Sequence, residues 1–160
     1  MPIGRFLCGI AALIWDPATD KYLLLRRAES KDFGARLWEC PTGRLDQGES
    51  FTAAVHREVG EEIGAEVHIE FIIGTTHFYR GAEIPENELN GVIFGCSLAS
   101  ANPVAFGEEH SEMRWATAAE AYALLPASHW LQDVIRRAEN LRRLLPRELR
   151  DEFRQKGLEI

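Results

Sequence analysis

The stretch GRLDQGESFTAAVHREVGEEIGA, Gly43 to Ala65, decides how the rest of the chain is read. Within it Val55, Val59 and Ile63 recur every fourth residue and form one apolar stripe, so residues 51–63 are expected to be an amphipathic helix. Ser50 supplies an N-cap oxygen and Gly64 stands where a C-terminal glycine belongs. Gly60 costs roughly 1 kcal/mol relative to Ala inside a helix, and its presence predicts the close approach of a neighbouring element. Glu58, Glu61 and Glu62 fall at i, i+3 and i+4 and fan over roughly 100° of helix surface beside the apolar stripe. Three carboxylates that close repel one another unless a cation or an arginine is near. Mg²⁺ and Mn²⁺ prefer oxygen ligands, and Arg57 is placed to brace part of the cluster. The plain alternative is a solvated acidic face.

Outward from that helix, LCGIAALIW (7–15) and KYLLLRR (21–27) read as two strands joined by the turn DPATD (16–20). Residues 28–50 read mostly as loop, with a short strand around Leu37–Cys40. AEVHIEFIIGTTHFYR (65–80) is expected as one or two strands, AEIPENELNG (82–91) as a polar loop, and VIFGCSLA (92–99) as a strand. The acidic stretch 102–112 leads into a strand around Met113–Ala116. The C-terminal region 117–156 is helical: Thr117 and Glu120 make a capping box for a first helix. Leu131, Val134, Ile135, Ala138, Leu141 and Leu145 share one side of a second, and 146–156 form a charged third. Strands, a helix, more strands, then helices fit an α/β chain whose mixed sheet lies between helices. Nothing divides it, so 1–160 is expected to be one domain.

Composition narrows the function. Lys plus Arg is 18 and Asp plus Glu is 25, a net charge of −7. Such a chain is a poor general nucleic-acid binder. No window reaches the apolar length of a membrane span, and the apolar start is read as a strand and not as a signal peptide. Cys8, Cys40 and Cys96 form no CxxC pair and suggest a reducing, cytoplasmic setting. No GxSxG elbow is present. Gly43-x-x-x-x-Gly48-Glu49-Ser50 lacks the lysine of a phosphate-binding loop.

The Gly43–Ala65 segment resembles the signature of the Nudix hydrolases, Gly-x5-Glu-x7-Arg-Glu-U-x-Glu-Glu-x-Gly-U with U aliphatic. Gly43, Glu49, Arg57, Glu58, Val59, Glu61, Glu62 and Gly64 all match, and Ala65 is the one weak position. Leu23–Arg27 resembles the family's early strand. Trp38-Glu39-Cys40-Pro41-Thr42-Gly43 resembles its lead-in, with Thr42 in place of a glycine, and the acidic run before Trp115 matches the family layout. The resemblance implies a Nudix-type α/β/α sandwich and hydrolysis of a phosphoanhydride in a nucleotide. It implies Mg²⁺ or Mn²⁺ held by Glu58, Glu62, the Gly43 carbonyl and, as ligand or water-handling carboxylate, Glu61. Glu49 and Arg57 would stand behind them.

For the general base Glu61, Glu108, Glu109 and Glu112 remain open, with Glu109 preferred. Arg26 or Arg27 is expected to bind substrate phosphate, since alternation turns only one toward a given face. Trp38, Phe78 and Tyr79 are candidates to stack on a base. Substrate choice is expected to lie in residues 76–91 and around Ser128. The short chain and its Leu-Leu-Arg-Arg strand look most like MutT-type nucleoside triphosphate pyrophosphatases. An ADP-ribose or nucleotide-sugar pyrophosphatase is the runner-up, and a catalytically silent nucleotide- or RNA-binding module is the reading from another class. The apolar 92–99 strand, taken to lie near a sheet edge, together with Trp130 and Leu144, points to a homodimer.

Overall fold

The central helix of a computed structural model, which describes residues 5–30, 34–99 and 105–160, runs over Phe51–Ile63. Ser50 Oγ accepts from Ala53 N–H, and Gly64 closes the helix at φ +63°. Val55, Val59 and Ile63 are fully buried. Burying each is worth about 2 kcal/mol, which outweighs the roughly 1 kcal/mol that Gly60 costs. The close approach predicted at Gly60 does not occur: a Cβ there would meet nothing within 4 Å. The glycine is exposed on the outer face of the helix.

In chain order the elements are β1 (Leu7–Asp16), β2 (Lys21–Arg27), β3 (Trp38–Glu39), β4 (Thr42–Arg44), α1 (Phe51–Ile63), β5 (Val67–Tyr79), β6 (Glu88–Leu98), β7 (His110–Ala116), α2 (Ala118–Leu124), α3 (Trp130–Leu144) and α4 (Arg147–Lys156). The strands form one sheet in the order β3-β2-β1-β6-β5, with β4 paired to β1 and β7 to β2. The β1–β6 pair is parallel and the others antiparallel, so the sheet is mixed as expected. Alternation along β1 sends Ile10, Ala12 and Ile14 to the face covered by α1. Ala11, Leu13 and Trp15 go to the face covered by α2 and α3. This is the α/β/α sandwich. Thr117 and Glu120 form the capping box at the start of α2.

The strands after α1 bring three corrections and settle one open reading. Residues 65–80, expected as one or two strands, hold a single one, β5 (Val67–Tyr79), with register shifts between Ile69 and Phe71 and between Ile72 and Gly74. The supposed loop 82–91 is partly strand: a single 3-10 turn at Pro85–Asn87 hands directly to β6 at Glu88. β6 also lies between β1 and β5, inside the sheet and not at its edge, so its apolar character is explained by burial on both faces. β7 begins at His110, earlier than expected. The start of the acidic stretch, 102–104, and part of the loop after β2, 31–33, lie outside the described residues.

The first shift in β5 centres on Glu70, which is fully buried. Arg150 donates to it at 3.2 Å and Arg154 donates to its other oxygen, which docks α4 on β5. Glu70→Gln keeps the volume but leaves two guanidinium groups without their buried counter-charge. The expected cost is on the order of 2–3 kcal/mol, read from urea unfolding. A loss below about 0.5 kcal/mol, the size of a surface change, would show that the bridge does not hold α4.

Candidate active site

β4 brings the front of the signature against α1. It pairs with β1, Gly43 opposite Ile10, and lies so close to the helix that a Cβ at Gly43 would fall 1.8 Å from Glu58 Cδ. Only glycine fits. Glu58 and, one turn later, Glu62 are thereby largely covered, whereas the Glu61 side chain is 62% exposed.

Arg57 binds this cluster together. Its Nε and Nη2 hold the two oxygens of Glu49 at 2.8 Å, and its Nη1 holds Glu58 at 2.8 Å and Glu61 at 3.3 Å. Nη2 also reaches the Arg44 carbonyl at 2.9 Å. The Glu49 carboxyl, which further accepts from Asp46 N–H, is drawn down to about 2, chiefly by Arg57. The same contacts drive the Arg57 pKa upward. Glu58 moves up, because burial outweighs the arginine beside it.

Glu62 differs. Its Oε1 accepts from Thr42 N–H at 3.3 Å, and its Oε2 is buried with no hydrogen bond. Burial first, then the charges of Glu39, Glu58 and Glu109, push its carboxyl up to about 9. Glu39 is itself buried, accepting from Arg27 Nη1 at 2.9 and 3.1 Å and lying 3.0 Å from His110 Nε2. The same imidazole nitrogen is 3.9 Å from Glu62.

These groups line one cleft of about 1520 Å³. Part of its floor is bare sheet, where Gly9 and Gly91 are paired across β1 and β6. Trp38, Phe78 and Trp130 supply aromatic surface. Arg27, Arg44 and Arg80 add positive charge. Burial, then the nearby Arg44 and Arg27, hold the Arg80 pKa below its ordinary value.

A family model, the NUDIX domain, matches residues 7–138. The chain belongs to the Nudix family. Its fold is similar to the crystal structure of the MutT protein from Methanosarcina mazei Go1, with a TM-score of 0.70 and 26% identity over 89% of this chain and 99% of that one. Among curated proteins, the octanoyltransferase of Myxococcus xanthus is 30% identical over 122 residues, 76% of this chain and 33% of that protein. The RNA pyrophosphohydrolase of Erythrobacter litoralis (strain HTCC2594) is 34% identical over 70 residues, 44% of this chain and 41% of that protein. The Nudix chain thus spans between a third and about two fifths of the length of the curated relatives it matches.

The structure brings Gly43, Glu49, Arg57, Glu58, Glu61, Glu62, Glu109, Arg27 and Ser128 to the cleft of this Nudix domain. Arg26 is not among the lining residues: it turns to Glu112, at 3.5 Å, and to the Arg36 carbonyl. Tyr79 is also on the wrong side. Thr76, Phe78 and Arg80 line the cleft, and the Tyr79 ring meets His77 edge-on instead. Glu39 and His110 also line the cleft, although the sequence by itself gives neither a site role. A lone carboxylate between Trp38 and Cys40, in a segment otherwise fit for burial, was the available sign of Glu39.

Among the described residues no three His, Cys, Asp or Glu groups stand together in metal-holding geometry. Glu58 and Glu61 are turned to Arg57. Two features nevertheless fit a divalent cation: a buried carboxylate oxygen on Glu62 with no hydrogen bond, and the approach of the Glu58 carboxyl to the Gly43 backbone that only glycine allows. Metal-free protein therefore keeps a proton on Glu62 between its ordinary 4.5 and about 9, while the unfolded chain has released it. The folded state binds more protons in that window, so stability falls as pH rises through it. Calorimetry in chelator from pH 5 to 9 is expected to show this decline in the wild type and its loss in Glu62→Gln. Equal slopes would overturn the assignment.

Proposed function

We propose that the chain hydrolyses a nucleoside diphosphate-linked substrate, preferably a nucleoside triphosphate, with water attacking phosphorus to give the monophosphate, pyrophosphate and a proton. One observation carries this reading: a single cleft combines the Glu58–Glu61–Glu62 face with Arg27, Arg44 and Arg80 and an aromatic surface. Carboxylates alone would repel a polyphosphate, and arginines alone would bind it without cleaving it.

Glu58, Glu62 and the Gly43 carbonyl are the groups to hold Mg²⁺ or Mn²⁺, with Glu61 as a further ligand or the carboxylate that handles the water. Gly9 keeps that carbonyl accessible, since a Cβ there would lie 3.0 Å from the Gly43 oxygen. When bound, the cation neutralises charge on the phosphate oxygens and lowers the pKa of the attacking water. Glu109, exposed beside the cleft, accepts the proton. Glu49 and Arg57 keep the cluster in place without meeting substrate. The arginines orient the phosphates, and Phe78, Trp38 and Ser128 meet the base. The width of the cleft favours a second reading, an ADP-ribose or nucleotide-sugar substrate, because about 1520 Å³ exceeds the roughly 300–1,000 Å³ of most small-molecule sites.

The test is phosphate and pyrophosphate release from nucleoside triphosphates, nucleotide sugars and 5′-triphosphorylated RNA, with purified protein and Mg²⁺. Pyrophosphate from free triphosphates is expected, abolished by chelator and restored by Mg²⁺ or Mn²⁺. Glu62→Gln is expected to lower turnover by about 100-fold, roughly 2.7 kcal/mol of barrier. Full activity in excess chelator would sink the mechanism. Binding without turnover of any substrate would favour the silent module.

The assembly proposed is a homodimer closed through α3, in a reducing, cytoplasmic setting suited to three free thiols. With β6 inside the sheet, the support comes from Trp130 and Leu144, 42% and 71% exposed. Closed twofold pairs are the commonest way to bury such excess. Sedimentation equilibrium is expected to give twice 18.1 kDa, and a monomer mass at every concentration would end the proposal.

A further inference from the structure

The first turn of α1 has a partner from far along the chain. Ser50 satisfies Ala53 N–H, which leaves Phe51 N–H and Thr52 N–H as orphan donors of the kind every helix start presents. Both point to Glu159: its Oε1 accepts from Phe51 N–H at 2.6 Å and from Thr52 N–H at 3.3 Å. Its Oε2 accepts from the Thr52 hydroxyl at 2.6 Å. Residue 159 lies well past residue 138, where the family match ends.

The approach of Glu159 is itself built. α4 is fastened to β5 through Glu70, ends at Gly157 with φ +80°, and Leu158 then packs into the cluster beneath α1. The other end of α1 is also held, since Ala105 N–H and Gly107 N–H donate to the Ile63 and Glu62 carbonyls at 3.2 Å. The helix is thus pinned at both ends by segments outside it. Placement matters here because Glu58 fits under β4 with no space to spare at Gly43. A small slide of α1 along its axis would move Glu58 and Glu62 together relative to the Gly43 carbonyl.

We propose that Glu159 is a positioning residue for this Nudix site: by capping α1 it fixes where Glu58 and Glu62 stand against Gly43. This rests on the reading of those groups as cation ligands. The carboxylate suits the role twice, as an acceptor for two amides and a hydroxyl and as a negative charge at the positive end of the helix.

The test uses the full chain as wild type, Glu159→Ala, Glu159→Gln and Thr52→Val, each shown by circular dichroism to be folded. Two quantities are read: amide exchange at Phe51 and Thr52 by NMR, and Mn²⁺ affinity by electron paramagnetic resonance. Glu159→Ala is expected to speed exchange at both amides by roughly 10-fold, the usual scale of a lost cap, and to weaken Mn²⁺ several-fold. Glu159→Gln, which keeps an acceptor oxygen, and Thr52→Val, which removes one bond from the helix side, are expected to fall between. Unchanged exchange in Glu159→Ala would overturn the cap. Faster exchange with unchanged Mn²⁺ affinity would overturn the positioning role. Absence of a Mn²⁺ site in the wild type would overturn the cation reading itself, a separate and visible failure.

Discussion

A guanidinium offers five N–H donors in one rigid plane, and Arg57 directs its own to Glu49, Glu58, Glu61 and the Arg44 carbonyl. Its partners come from the end of β4, from the loop before α1 and from the helix itself, so one side chain joins the two halves of the signature. Glu58 is then carried into a slot that β4 leaves open only because residue 43 has no side chain. A lysine could supply the charge but not the fork. Loop, strand and helix would lose their common reference, and the three carboxylates would face one another with nothing between them.

Charge in this molecule acts locally. The chain is acidic as a whole, at −7, yet its cleft mixes Arg27, Arg44 and Arg80 with the glutamates. Fields inside a low-dielectric cleft depend on the nearest groups more than on the total. That is how a negative chain can carry a cleft with positive charge in it. The line from Arg27 through Glu39 to His110 and Glu62 carries this logic into the interior, where it ends on a buried Glu62 oxygen that has no hydrogen bond.

Much of this was legible in the sequence, and the exceptions have physical causes. The ends of α1 follow from Ser50, Gly64 and the Val55–Val59–Ile63 stripe, since caps and period agree. α2 follows likewise from Thr117 and Glu120. Tyr79 and Phe78 were not separable by counting, because alternation holds only within an unbroken register. Val67 and Ile69 pack on the α1 side, but after the shift at Glu70 it is Phe71 and Ile73 that pack on the α3 side. A second shift follows before Gly74, and parity counted from the start of β5 no longer indicates a face. Glu39 and His110 were hidden for another reason. Each is an unremarkable polar residue alone, and only tertiary pairing across β2, β3 and β7 makes them neighbours.

The parallel pairing of β1 with β6 sets a condition on how the chain is made. Leu7 to Trp15 find their partners at Leu89 to Ser97, while β2 and β4 occupy the opposite edge. As the nascent chain emerges, that second edge of LCGIAALIW stays unpaired until β6 has been synthesised, and a bare apolar edge invites association with other chains. Contacts so distant in sequence also form slowly, because a long loop must close before they give anything back. The strand at the heart of the sheet is made well before β6 and completed only after it, and during that interval association competes with folding.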